Sequence, residues 1–81
     1  MGVFDIFSRN KTAVEHKVFR YKKNGKKYLI VADGLEEAEQ IINTVYPGYG
    51  AVKEELTEET DDKELIKFYG NEKKNIYETN Y

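Results

Sequence analysis

Cysteine is absent from this chain, tryptophan is absent, and histidine, proline and serine each occur once. Without cysteine there is neither a disulfide framework nor a thiolate metal site. A single histidine, His16, cannot supply the several nitrogen or sulfur ligands that zinc takes. Ser8, the only serine, lies near the chain start with no base in prospect, so a serine nucleophile is not expected. Asp61-Asp62 and the glutamates around them lack the alternating ligand spacing of a calcium loop. Gly48-Tyr49-Gly50 follows an expected helix and precedes an expected strand, the reverse of a phosphate-binding turn. No apolar run reaches the ~18 residues of a membrane-spanning helix. The opening MGVFDIFSRNK has no basic leader and carries Ile6 where a myristoylation pattern wants Ser or Thr. Asn10-Lys11-Thr12 fits a glycosylation acceptor, which counts for nothing in a chain read as unsecreted. These absences lead to the expectation of a cytoplasmic, non-enzymatic protein with no cofactor, no metal and no membrane contact.

What remains is aromatic and charged. Seven Tyr and four Phe join the aliphatics in 81 residues, enough for one small domain, which buries only about 60% of its unfolded surface. The net charge of −2 conceals an asymmetry: residues 1–32 carry +6, residues 33–66 carry −9, and the last fifteen carry +1. Such halves attract each other within one fold, or mark a charged partner. The richness in Lys, Glu, Asn, Ile and Tyr is that of an accessory protein from an AT-rich bacterium or its phage.

The stretch from Val18 to Val45 organises the rest. Two apolar-rich runs flank Asn24-Gly25, the strongest short-range hairpin signal, because a type I′ turn needs φ > 0 at both central residues. The spacing predicts strands over 13–23 and 26–32, with Tyr21 opposite Tyr28 and Phe19 opposite Ile30. One face then carries Phe19, Tyr21, Tyr28, Ile30 and Ala32, and the other Val14, Val18, Leu29 and Val31, with His16 and Arg20. Asp33 reads as an N-cap with Glu36 completing a capping box. Leu35, Ala38, Ile41, Ile42 and Val45 form the apolar stripe of a helix over 34–46, ended by Pro47. Phe19, Tyr28 and Ile30 with that stripe are the expected core. A weaker strand is read over 51–57. A second helix follows, capped by Thr60 or Asp61, striped by Leu65, Ile66, Phe68 and Tyr69, and stopped near Gly70.

The expected fold is α+β: a three-stranded antiparallel sheet, ββαβ in order 2-1-3, with one main amphipathic helix and a shorter C-terminal helix. Residues 1–12 form a short N-terminal segment, where Val3, Phe4, Ile6 and Phe7 suggest a helical turn. Residues 13–70 form the domain and 71–81 a loose tail. The rival for the C-terminus is a hairpin at Gly70-Asn71 with a fourth strand near 75–81.

Two surfaces bear on function. The acidic side chains Glu36, Glu37, Glu54, Glu55, Glu58, Glu59, Asp61 and Asp62 suit docking on a basic partner protein. Lys17, Arg20, Lys22, Lys23, Lys26 and Lys27 beside hairpin aromatics suit the alternative, a single-stranded nucleic acid. The leading expectation is a small binding module acting through protein–protein contact. The valine-bearing hairpin face is covered either by the second helix, giving a monomer, or by a second copy, giving a homodimer. Cover by the chain itself is favoured, because a short linker holds that helix close.

Overall fold

The computed structural model describes residues 16–80. The N-terminal segment 1–12, the first positions of the expected first strand and Tyr81 lie outside the described residues. The hairpin forms as the turn chemistry dictates. Strands β1 (Lys17–Lys23) and β2 (Lys26–Ala32) are joined by Asn24 at φ 53° and Gly25 at φ 82°. Tyr21 stands opposite Tyr28 and Phe19 opposite Ile30, in the expected register. With two turn residues, the flanking Lys23 and Lys26 make a hydrogen-bonded pair. Alternate residues of β2 (Lys27, Leu29, Val31) therefore point their backbone groups away from β1.

Those outward groups explain the first correction. The sheet has four strands, not three: β3 (Thr57–Glu58) pairs with β1, β4 (Asn75–Thr79) pairs with β2, and the order is β3-β1-β2-β4, all antiparallel. Leu29 and Val31 are fully buried, so their backbone groups need a partner strand in place of water. Residues 75–79 supply it and are not a loose tail, with Ile76 set opposite Ile30.

The strand expected over 51–57 shrinks to two residues for a local reason. Lys53–Glu55 close a 3-10 turn in which the Leu56 N–H donates to the Lys53 carbonyl at 3.1 Å and the Val52 N–H donates to the Glu55 carboxylate at 3.2 Å. Upstream, the Asn43 side chain donates to the Ala51 carbonyl and accepts from the Ala51 N–H, both at 2.9 Å. Asn43 thus clamps the connection back onto its helix.

That helix, α1 (Leu35–Val45), starts one residue late. Gly34 is the N-cap and makes no side-chain cap bond, while Glu37 accepts from the Asp33 N–H at 2.8 Å. Asp33 does not cap because its carboxylate is engaged by His16 Nδ1 at 2.7 Å and Lys74 Nζ at 3.2 Å. Ala38 and Ile42, one helical turn apart, are the residues α1 buries completely. Leu35 and Val45, expected in the core, sit at its two ends and remain 42% and 45% exposed; Ile41 is half-buried.

For the described residues the two faces are as expected; Val14 lies outside them. Phe19, Tyr21, Tyr28, Ile30 and Ala32 pack beneath α1 with Ala51, Leu56 and Ile76. On the other face α2 (Lys63–Gly70) lays Leu65 and Tyr69 over Val18 and Leu29. Its N-cap is Asp62, accepting from the Leu65 N–H at 3.0 Å, in place of Thr60 or Asp61. Phe68, expected in the apolar stripe, is 64% exposed. The Gly70 carbonyl accepts from the His16 N–H at 2.9 Å, tying the end of α2 to the start of β1; a Cβ on Gly70 would meet the His16 carbonyl at 3.2 Å.

One polar atom in this core has no partner among the described residues, the Tyr21 hydroxyl. Burial, then Glu55 and Tyr49, push its pKa above the usual phenol value, so it stays protonated. Leaving a buried hydroxyl unpaired costs about 1–3 kcal/mol. Tyr21→Phe is therefore expected to raise the urea midpoint; a lowered midpoint would show that the hydroxyl has found a stabilising partner in solution.

Candidate functional site

The acidic residues separate into two groups. Glu59 is the buried one, its side chain 7% exposed. Its backbone N–H donates to the Val18 carbonyl at 2.7 Å, extending the β3 edge. Its carboxylate accepts from the Asp61 and Asp62 N–H groups at 2.9 and 3.1 Å and pairs with the Arg20 guanidinium. These two backbone donors first, and Arg20 after them, hold the carboxyl below the ordinary glutamate range against the opposing effect of burial. Asp62 is spent on its cap, Glu55 on the 3-10 turn, and Glu37 on Lys74 at 2.8 Å and the Asp33 N–H.

The second group is solvent-facing: Glu54, Glu58 and Asp61 along the β3 side of the sheet, and Glu36 on the first turn of α1. Glu58 lies 4.0 Å from Lys17 and Glu36 lies 3.9 Å from Lys53. Glu54, Glu58 and Asp61 project from a segment fixed at both ends, by the Asn43–Ala51 clamp and by Glu59.

The basic residues are also divided. Lys17 faces Glu58, and Arg20 is held by Glu59. Lys23 donates to the Tyr49 carbonyl at 3.1 Å and lies 5.9 Å from the centre of that ring. Lys22, Lys26 and Lys27 are exposed at the hairpin end and make no ion pair among the described residues. Lys22, Lys27 and Arg20 line a cavity of about 280 Å³ together with Tyr21, Tyr28, Glu55, Thr57 and Thr79.

The hairpin aromatics Tyr21 and Tyr28 reach the wall of that cavity but are almost wholly buried. Tyr21 and Tyr28 are buried against Tyr46 and Tyr49, which stack with centroids 4.6 Å apart. The Tyr28 and Tyr49 hydroxyls lie 2.8 Å apart. That bond, and then burial, drive the Tyr28 pKa far up.

Sequence reasoning missed the cluster of His16, Asp33, Glu37 and Lys74, because Lys74 lies 41 residues from Asp33. Asp33 is held low by His16 first and then Lys74, and Glu37 by Lys74 first and then the Asp33 N–H. The charge-asymmetric sequence hinted at such pairing without naming partners. Among the described residues no group of three or more His, Cys, Asp or Glu side chains is placed to hold a metal ion, and no helix is long and apolar enough to cross a membrane. Comparison with protein-family models, with curated proteins and with solved structures finds no match to this chain.

Proposed function

We propose that this protein is a small binding module that docks on a basic surface of another protein through Glu54, Glu58 and Asp61. The observation that supports the reading is the Glu59 network. A buried carboxylate, two backbone donors and Arg20 fix the segment on which the three exposed acids stand. Fixed charges of one sign steer an oppositely charged partner and lose little entropy on contact. A photo-crosslinker placed at position 54 or 61 in cells is expected to capture the same protein from both positions. With the crosslinker at one of these positions, reversing the other and Glu58 to lysine should abolish the capture. Capture that survives the reversal, or that arises only from position 26, overturns the reading.

A second reading keeps nucleic acid as the partner, favoured by the exposed lysines Lys22, Lys26 and Lys27. Burial of Phe19, Tyr21 and Tyr28 removes the stacking platform, so this binding would be electrostatic alone and fall steeply with salt. A labelled single-stranded oligonucleotide at low salt, added to the protein and to its Lys22/Lys26/Lys27→Gln form, separates the two readings. Tight binding lost in that variant favours nucleic acid.

A further inference from the structure

We propose that β4 is a pairing edge for a second copy of this chain, joined strand to strand across a two-fold axis at Ile76. Among the described residues β4 ends the sheet, opposite the β3 edge that carries the exposed acids, so both contacts can form together. The hairpin fixes which backbone groups β4 leaves open. Lys27, Leu29 and Val31 point toward β4, and their partners there are Thr79, Tyr77 and Asn75. The intervening Ile76 and Glu78 therefore direct their N–H and C=O groups outward. The Ile76 N–H confirms this parity: it is bonded to the side chain of its own neighbour, Asn75 Oδ1, at 2.8 Å. An N–H held by such a local bond remains available to a strand.

The charges select the occupant. Lys74 stands two residues before Ile76 and Glu78 two residues after it. Antiparallel pairing of two copies about Ile76 sets each Lys74 against the other copy's Glu78, both in the outward-pointing set. Sliding the axis to Asn75 places Glu72 against Glu78, and sliding it to Tyr77 leaves Lys74 facing Asn80. Only the Ile76 axis satisfies both charges. Lys74 is already positioned on the α1 side of the sheet by Glu37 and Asp33.

Helix packing agrees with the strand register. Helix α1 lies across both β2 and β4. With strands about 4.8 Å apart, a helix over the gap between them sits about 5 Å from the axis. Its symmetry mate would then be about 10 Å away, at helix-packing distance. Between α1 and β4 runs a groove of about 350 Å³ lined by Ile41, Val45, Lys74 and Asn75. The half-buried Ile41 and the exposed Val45 are the side chains that two adjacent α1 helices would cover. The product is one continuous sheet with α1 helices side by side on one face, an isologous contact that closes on itself.

Sedimentation of the full chain over a wide concentration range is expected to show the mass doubling. Glu78→Lys alone and Lys74→Glu alone each place like charges across the axis, and each should weaken self-association at least about tenfold. Mixing the two variants restores opposite charges at both positions and should restore the dimer as a heterodimer. A purely structural role for Lys74 would not produce this rescue. Should Lys74→Glu unfold, hydrogen exchange on the unaltered chain gives the answer. The Glu78 amide should become protected as concentration rises, and Glu78→Lys should leave the amide at position 78 exchanging freely. A monomer at every concentration, or a dimer in which the Glu78 amide stays unprotected, overturns the proposal.

Discussion

Replacing Ile42 by alanine is expected to destabilise the protein by about 2–5 kcal/mol, the range for a fully buried large-to-small change. Ile42 is 0% exposed and belongs to the buried cluster beneath α1 that includes Tyr28 and Ile30. Small domains hold about 5–15 kcal/mol in all, so much of the stability would be lost. Its neighbour gives the contrast. Ile41 lies on the same helix turn but is only half-buried, so Ile41→Ala should cost distinctly less in the same urea titration. Equal losses at 41 and 42 would mean that α1 is rotated relative to the sheet. A loss below about 0.5 kcal/mol at Ile42 would remove it from the core.

The second large effect is expected at Glu59. Glu59→Ala leaves the Asp61 and Asp62 N–H groups without their acceptor and removes the Arg20–Glu59 ion pair. Breaking a buried pair from one side costs about 3–5 kcal/mol. Arg20 is partly solvated, its side chain 37% exposed, so the lower end of that range is expected. Glu59→Gln retains one acceptor oxygen and should fall between. The pH dependence has a definite sign. Glu59, Asp33 and Glu37 all have folded-state pKa values below their ordinary ones. Their contribution is complete above the ordinary carboxylate pKa near 4.5 and is lost as pH falls through the lowered folded values. Glu59→Gln should therefore flatten the acid limb of a stability–pH curve. An unchanged limb would show that Glu59 carries no such term. Lys74, raised above its usual value by Glu37 and then Asp33, adds the opposite limb, a loss of stability above about pH 10.5.

The hairpin register was legible because Asn24-Gly25 permits one compact two-residue turn, and every pair then follows by counting. The two faces were legible because period-two alternation is strict through Phe19, Tyr21, Tyr28 and Ile30. The helix cap was not, since Asp33 is drawn off by His16 and Lys74, which lie 17 and 41 residues away and leave no local trace. The fourth strand was under-read because Asn75–Thr79 has only Ile76 and Tyr77 to advertise it. What demands it is the outer edge of β2, a requirement visible only once the sheet is assembled. Among the candidate site residues, the acids between Glu54 and Asp62 look alike in sequence. Burial of Glu59 depends on Arg20 reaching it from its place opposite Thr57, at a register set by a two-residue strand too short to leave a pattern.

The placement of the hairpin at the centre of the sheet also sets an order in time. Its two strands are contiguous, and such a unit forms in roughly 1–10 μs. The edge strands must be recruited from far along the chain: Thr57 meets Arg20 across 37 residues, and Ile76 meets Ile30 across 46. Closure entropy rises only slowly with loop length, so the two edges arrive with similar ease, and both after the centre. By the same logic they open first, in local excursions that leave the hairpin intact. The β4 border, which has no anchor like the Glu59 network of β3, is thus the more yielding side of the sheet, able to adjust to an incoming strand while the central pair keeps its form.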